Sequence, residues 1–214
     1  MHASEESAQP ATPDRTPRTW LVAGLGNPGP EYELTPHNLG FMVVDRLAEA
    51  NGVRVTRKEA MALVGRGEVS GCPVWLAKPQ TYMNHSGLSV RALMERLALT
   101  PENLILVYDE LALPWTALRI RPRGSAGGHN GVASVIESLA TEKFVRVRLG
   151  IHPGHPVADG AGFVLQPMKR AQYKDLDELL DYGARAVESI IAEGVEKSMT
   201  KINRRAQGSN TEEA

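Results

Sequence analysis

The chain has 214 residues, 42% of them apolar and 23% charged, with a formal net charge of −1, the profile of one ordinary soluble domain with a full core. Near-neutral charge argues against a generally basic nucleic-acid binder, and no apolar run approaches the roughly 18 residues that span a bilayer. The single cysteine, Cys72, excludes internal disulfides and a cysteine-based zinc site, so a reducing cytoplasm is the expected home.

Residues 1–18 carry Glu5, Glu6 and Asp14 and no apolar block, unlike a secretory signal or a transit peptide, and are expected to be a disordered tail. Residues 20–23 predict a buried strand that runs into the Gly/Pro/Asn-rich loop Gly24-Leu-Gly-Asn-Pro-Gly29. Thr35-Pro-His37-Asn38 then opens a helix over residues 38–50, with Leu39, Met42, Val43, Leu47 and Ala50 near one face and Asn51-Gly52 as its stop. Two strands follow, at 62–69 and 74–77, either side of a Gly71-Cys72-Pro73 turn. A second polar loop, residues 78–87, leads into a helix at 88–97. Thr100-Pro101-Glu102 reads as a capped short turn before a strand at 104–108 that ends at Asp109-Glu110.

A further strand at 117–121, a third polar loop at 124–131 and a helix at 132–140 come next. Residues 144–149 alternate strictly, so Arg146 and Arg148 share one sheet face. Residues 119–148 hold six basic residues against two acidic ones, a local basic face on a neutral protein. A Gly/Pro-rich segment, 152–162, has the character of a lid, and a long helix spans about 170–193 before Gly194. Domain limits are set at 19–205, with 206–214 as a flexible polar tail. Strands alternating with helices, and a hairpin-like pair among them, predict a single three-layer α/β domain with a twisted mixed sheet flanked by helices.

Gly24-Leu-Gly26-Asn-Pro-Gly29 matches the G-x-G-x-x-G dinucleotide pattern in letters alone. Pro28 and Pro30 intervene, the helix starts some eight residues later, and the ribose-binding acid is missing from its strand end, so no NAD binding is expected. The loop is better suited to displaying Asn27. His37 after a proline at a helix start is the candidate chemical centre. Asp109, at the end of an apolar strand where an α/β sheet places its crevice, is the candidate partner that orients its imidazole; a turn or cap role for Asp109 is nearly as well supported by spacing. No G-x-S-x-G elbow occurs and Cys72 has no basic neighbour, so histidine-activated water fits better than a covalent nucleophile. His152 and His155 lack a third metal ligand nearby and read as loop residues.

Asn27, Asn84 and Asn130 each stand in a glycine-bearing loop at a predicted sheet end, where they suit amide and ribose groups, although asparagine is common in turns for backbone reasons. Residues 127–131 could also present backbone N–H groups to an anion. Tyr82 and Met83 offer an apolar surface beside Asn84, with core packing as the equal alternative.

Gly24-Leu-Gly-Asn-Pro-Gly29, Glu31-Tyr32, Thr35-x-His37-Asn38-x-Gly40, Tyr82-Met-Asn84-x-Ser-Gly87, Asp109-Glu-Leu111, Gly127-Gly-His-Asn-Gly131 and Arg148-Leu-Gly-Ile151 stand in one order, and together they closely resemble bacterial-type peptidyl-tRNA hydrolase over residues 20–205. The resemblance implies a monomeric α/β enzyme without metal or cofactor. It would hydrolyse the ester between a peptide and the 3′-terminal ribose of tRNA, releasing tRNA for reuse in translation. It further implies His37 as base, Asp109 as its partner, and Asn27, Asn84 and Asn130 as substrate-holding amides. Met83 and Tyr32 would line the cleft, with Tyr82 beside them. Arg119, Arg121 and Arg148 would hold tRNA phosphates, and the 152–162 segment would be a mobile lid. Pro36 stands where the family commonly has arginine, and Tyr82 where it often has phenylalanine; neither removes a group the chemistry needs. The rival from another class is an RNA-binding protein on the same fold without turnover, and retention of His37, Asp109 and all three asparagines counts against it.

Overall fold

The computed structural model describes residues 18–208. The tails expected at 1–18 and 206–214 lie outside those residues, apart from Arg18, whose guanidinium sits 4.3 Å above the Trp20 ring, and 206–208, which close a helix. The strands are β1 (Trp20–Gly24), β2 (Arg57–Glu59), β3 (Ala62–Val69), β4 (Cys72–Pro79), β5 (Leu104–Pro114), β6 (Leu118–Arg121) and β7 (Val145–His152). The helices are α1 (Leu39–Ala50), α2 (Ser86–Arg96), α3 (Asn130–Leu139), α4 (Gly160–Val164), α5 (Arg170–Glu193) and α6 (Val195–Gly208).

One sheet holds all seven strands in the order β2-β3-β4-β1-β5-β7-β6. The central pairs of β1 with β4 and β5, and of β5 with β7, are parallel; the two margins are antiparallel. This is the mixed sheet that the alternating pattern predicts. The apolar strands at its centre carry two cores because successive side chains point to opposite faces. Val22, Ile105, Val107, Val147 and Leu149 face α1, α5 and α6; Leu21, Ala23, Leu106 and Tyr108 face α2 and α3. The result is three layers, with β1 buried on both sides.

Three elements escaped the sequence pattern. β2 is Arg-Lys-Glu, an edge strand whose charges carry no apolar alternation and suit an unpaired margin. α4 is one short turn capped by Asp159, whose Oδ1 accepts the Gly162 N–H at 2.9 Å. α6 buries Val195, Met199 and Ile202 against the core, and Asn203 exchanges hydrogen bonds with both backbone groups of Ile120, covering the β6 edge. Its run to Gly208 extends regular structure past Arg205, where the sequence pattern closed the domain.

Two features prepare the site. α1 starts so near the sheet that a Cβ on Gly40 would lie 2.4 Å from both Leu25 N and Val107 O, so only glycine fits there. That approach brings His37, three residues earlier, to the edge of β5. Second, β5 does not stop at Asp109-Glu110 as expected. A bulge between Glu110 and Pro114 lets it continue beside β7, whereas its other neighbour, β1, ends at Gly24 opposite Val107. Asp109 is thus inside a strand, yet two residues beyond the end of β1, where one flank of β5 is open.

Candidate active site

The loop after β1 is fixed by side-chain amides. The Asn27 N–H donates to Asn38 Oδ1 at 2.8 Å, Asn38 Nδ2 returns to Asn27 O at 3.0 Å, and Asn27 Oδ1 accepts the Met83 N–H at 2.8 Å. One buried asparagine therefore joins the β1 loop, the start of α1 and the loop before α2. Because its Oδ1 is taken by a donor, the amide orientation is set and Nδ2 is left without a hydrogen bond among the described residues.

His37 lies in a 3₁₀ turn, Pro36–Asn38, opened by Pro36 and leading into α1. Its Nδ1 is 2.9 Å from Asp109 Oδ1, and the side chains are 10% and 2% exposed. His129, the residue before α3, reaches the same oxygen through Nε2 at 3.0 Å. Its Nδ1 accepts the N–H groups of Gly131 and Val132 at 3.1 and 3.2 Å, which fixes the proton of its neutral form on Nε2. Two ring N–H groups thus converge on one carboxylate oxygen. The His37 and His129 rings lie 4.9 Å apart, and Tyr108 packs edge-on to His129 at the same distance. With the His37 proton on Nδ1, its Nε2 lone pair faces away from Asp109 and has no hydrogen-bond partner among the described residues.

Burial alone would push the Asp109 carboxyl up. The charge and hydrogen bond of His129 and the hydrogen bond of His37 outweigh it and hold the group well below the usual carboxylate range. Asp109 is therefore an anion throughout the pH range in which imidazoles titrate. His37, Asp109 and His129 form the one cluster of this size with metal-ligand geometry among the described residues. Its donor atoms are already hydrogen-bonded to one another, so a cation would have to displace both ring protons.

The remaining predicted residues take different positions. Met83 is buried, its sulfur occupying the space a Cβ on Gly131 would need. Tyr82 is 61% exposed, Asn84 and Asn130 are exposed, and Tyr32 is half-buried. Asn84 directly follows Met83 and Asn130 directly follows His129, so both sit one residue from the hydrogen-bonded group. Of the 127–131 N–H groups read as open to an anion, that of Gly131 is instead taken by His129 Nδ1, as is that of Val132 beyond them. Arg119, Arg121, Arg146 and Arg148 do share a sheet face, but with different fates. Arg119 and Arg121 are half-buried at the margin, Arg146 is buried, and Arg148 is bonded through Nε and Nη2 to Glu110 Oε2 at 2.9 and 2.6 Å. His129, Arg146 and Glu110 were not singled out from sequence. The histidine had a signal, its place between two glycines before a helix; the other two depend on tertiary neighbours.

A family model described as peptidyl-tRNA hydrolase matches residues 21–211. The peptidyl-tRNA hydrolase of Solibacter usitatus is 62% identical over 195 residues, covering 91% of this chain and 100% of that protein. The one from Koribacter versatilis is 48% identical, covering 87% of this chain and 94% of its own. The crystal structure of peptidyl-tRNA hydrolase from Acinetobacter baumannii superposes with a TM-score of 0.81 at 33% identity, over 89% of this chain and 97% of that one.

Proposed function

The chain belongs to the peptidyl-tRNA hydrolase family and is a hydrolase, and we propose that it cleaves the peptide–ribose ester of peptidyl-tRNA with water activated by His37. The Nε2 lone pair takes a proton as the water oxygen attacks the ester carbonyl. When the tetrahedral intermediate collapses, the same proton passes to the departing ribose oxygen, leaving a free peptide carboxyl and tRNA with a free hydroxyl. The observation that carries this reading is the buried Asp109 carboxylate 2.9 Å from Nδ1. It holds the ring in the tautomer that leaves Nε2 basic and stabilises the imidazolium formed between the two steps. A ribose ester is activated, so one general base plus amide donors at the developing oxyanion is enough apparatus. Asn27 Nδ2 and the exposed amides of Asn84 and Asn130 are suited to that donor role and to holding the ribose and peptide.

The test is release of an N-acetylated amino acid from its tRNA. Turnover by the wild-type protein is the expected result; tight tRNA binding without release would move the function to an RNA binder on the same fold.

Arg119 and Arg121, with the edge of Arg148 that Glu110 does not engage, suit the phosphates of the acceptor arm. Each phosphate contact contributes a slope of about −0.7 to −0.9 to log affinity against log salt. Arg119→Ala is therefore expected to weaken tRNA binding and to flatten that slope by about one contact, with little change in kcat. An unchanged slope in a salt titration of binding would remove Arg119 from the RNA surface.

A further inference from the structure

Arg146 is a buried cation without an acid. It is 2% exposed, and no carboxylate among the described residues lies within ion-pair distance of it. Its guanidinium donates instead to backbone carbonyls: Nη1 to Ser125 O at 2.6 Å, Nη2 to Gly124 O, and Nη2 more distantly to Glu142 O at 3.5 Å. Its Cζ lies over the Phe144 ring, 4.6 Å from the centroid, and Nε has no hydrogen-bond partner among the described residues. Burying an unpaired guanidinium is costly, and an apolar side chain of similar volume would fill that space more cheaply if filling were all that was required.

What Arg146 holds is the start of the segment that delivers His129. Residues 122–129 have no regular structure, and Gly124, Gly127 and Gly128 have positive φ values of 149°, 58° and 85°. Among the described residues, the only hydrogen bonds to the 122–125 half of this segment come from Arg146. The other half is fixed by the His129 N–H donating to Ala126 O at 3.0 Å and by the His129 ring itself. A glycine-rich segment with one anchor at each end loses its register when either is removed. The Asp109 end cannot hold alone, because it consists of the very contact that register must supply.

Building on the hydrolase reading above, we propose that Arg146 is a positioning residue for the reaction. By clamping two successive carbonyls, it sets the path of the 122–129 segment so that His129 Nε2–H reaches Asp109. Arginine suits this because its planar fork presents parallel N–H groups to adjacent acceptors, which lysine cannot do.

The experiment is a double-mutant cycle of Arg146→Met with His129→Ala, read by release of N-acetylated amino acid from tRNA and by proton–nitrogen NMR of the imidazoles in the full chain. Arg146→Met is expected to lower kcat about 10- to 100-fold in a protein that remains folded by circular dichroism. It is expected to abolish the hydrogen-bonded His129 Nε2–H signal. Added to His129→Ala, it should cost little more, because both act through the same contact. Arg146→Lys, which keeps the buried charge but loses the fork, takes the place of the methionine variant if that one fails to fold. Its kcat is expected to fall in the same direction and equally non-additively. A retained His129 signal, or losses that multiply in the double variant, would overturn the proposal. The NMR arm needs no turnover, so it still decides the role of Arg146 if the wild-type protein releases nothing and the hydrolase reading fails.

Discussion

Replacing His37 with alanine is expected to lower kcat/KM for peptide release by about 10²–10⁴-fold, the usual contribution of a positioned general base. The fold is expected to survive, because Asp109 keeps a second hydrogen-bond donor in His129. tRNA affinity is expected to stay near wild type, since the arginines proposed to hold phosphates are on other elements. One control separates lost chemistry from lost structure: added imidazole should restore part of the rate, as the cavity left by the ring still ends in a carboxylate that orients an N–H group. A variant that keeps its rate to within about a factor of ten would remove His37 from the role of base.

The reach of the sequence can be followed residue by residue. The strands at 20–23 and 104–108 were legible because buried strands need apolar runs, and the position of His37 because a Thr-Pro-His-Asn turn before an amphipathic helix leaves few alternatives. What could not be read depended on partners distant in sequence. The extension of β5 to Pro114 exists only because β7 pairs beside it across a bulge. Strict alternation correctly put Arg146 and Arg148 on one face. Alternation says nothing of what covers a face, and the 122–129 segment lies over one arginine while Glu110 neutralises the other. His129 was visible within a glycine-rich loop, but its role comes from sharing a carboxylate oxygen with a histidine 92 positions earlier. α6 is the exception: Val195, Met199 and Ile202 are spaced for one helical face, yet the last helix predicted from sequence stops at Gly194 and leaves residues 195–205 without an element.

Asp109→Asn isolates charge from geometry. The asparagine oxygen can still accept both ring N–H groups, so His37 and His129 keep their positions and tautomers, while the anion that stabilises the imidazolium is gone. The expected result is a loss of at least about 10²-fold in kcat, with KM changed by less than about threefold. Combined with His37→Ala, the substitution should cost little more, because a carboxylate that acts through an imidazole has no effect without it. Stability supplies an independent reading. A carboxyl whose folded pKa is depressed contributes stability that is fully present above its unfolded value, about 3.9, and that is lost as pH falls through the folded value. Urea unfolding of the wild-type protein is therefore expected to lose free energy steadily below about pH 4. Asp109→Asn should lack that share of the decline, so its curve is the flatter of the two in acid. Equal slopes in acid would mean that Asp109 is not held as an anion by the two histidines. A kcat near wild type would mean that the charge plays no part in the step at His37.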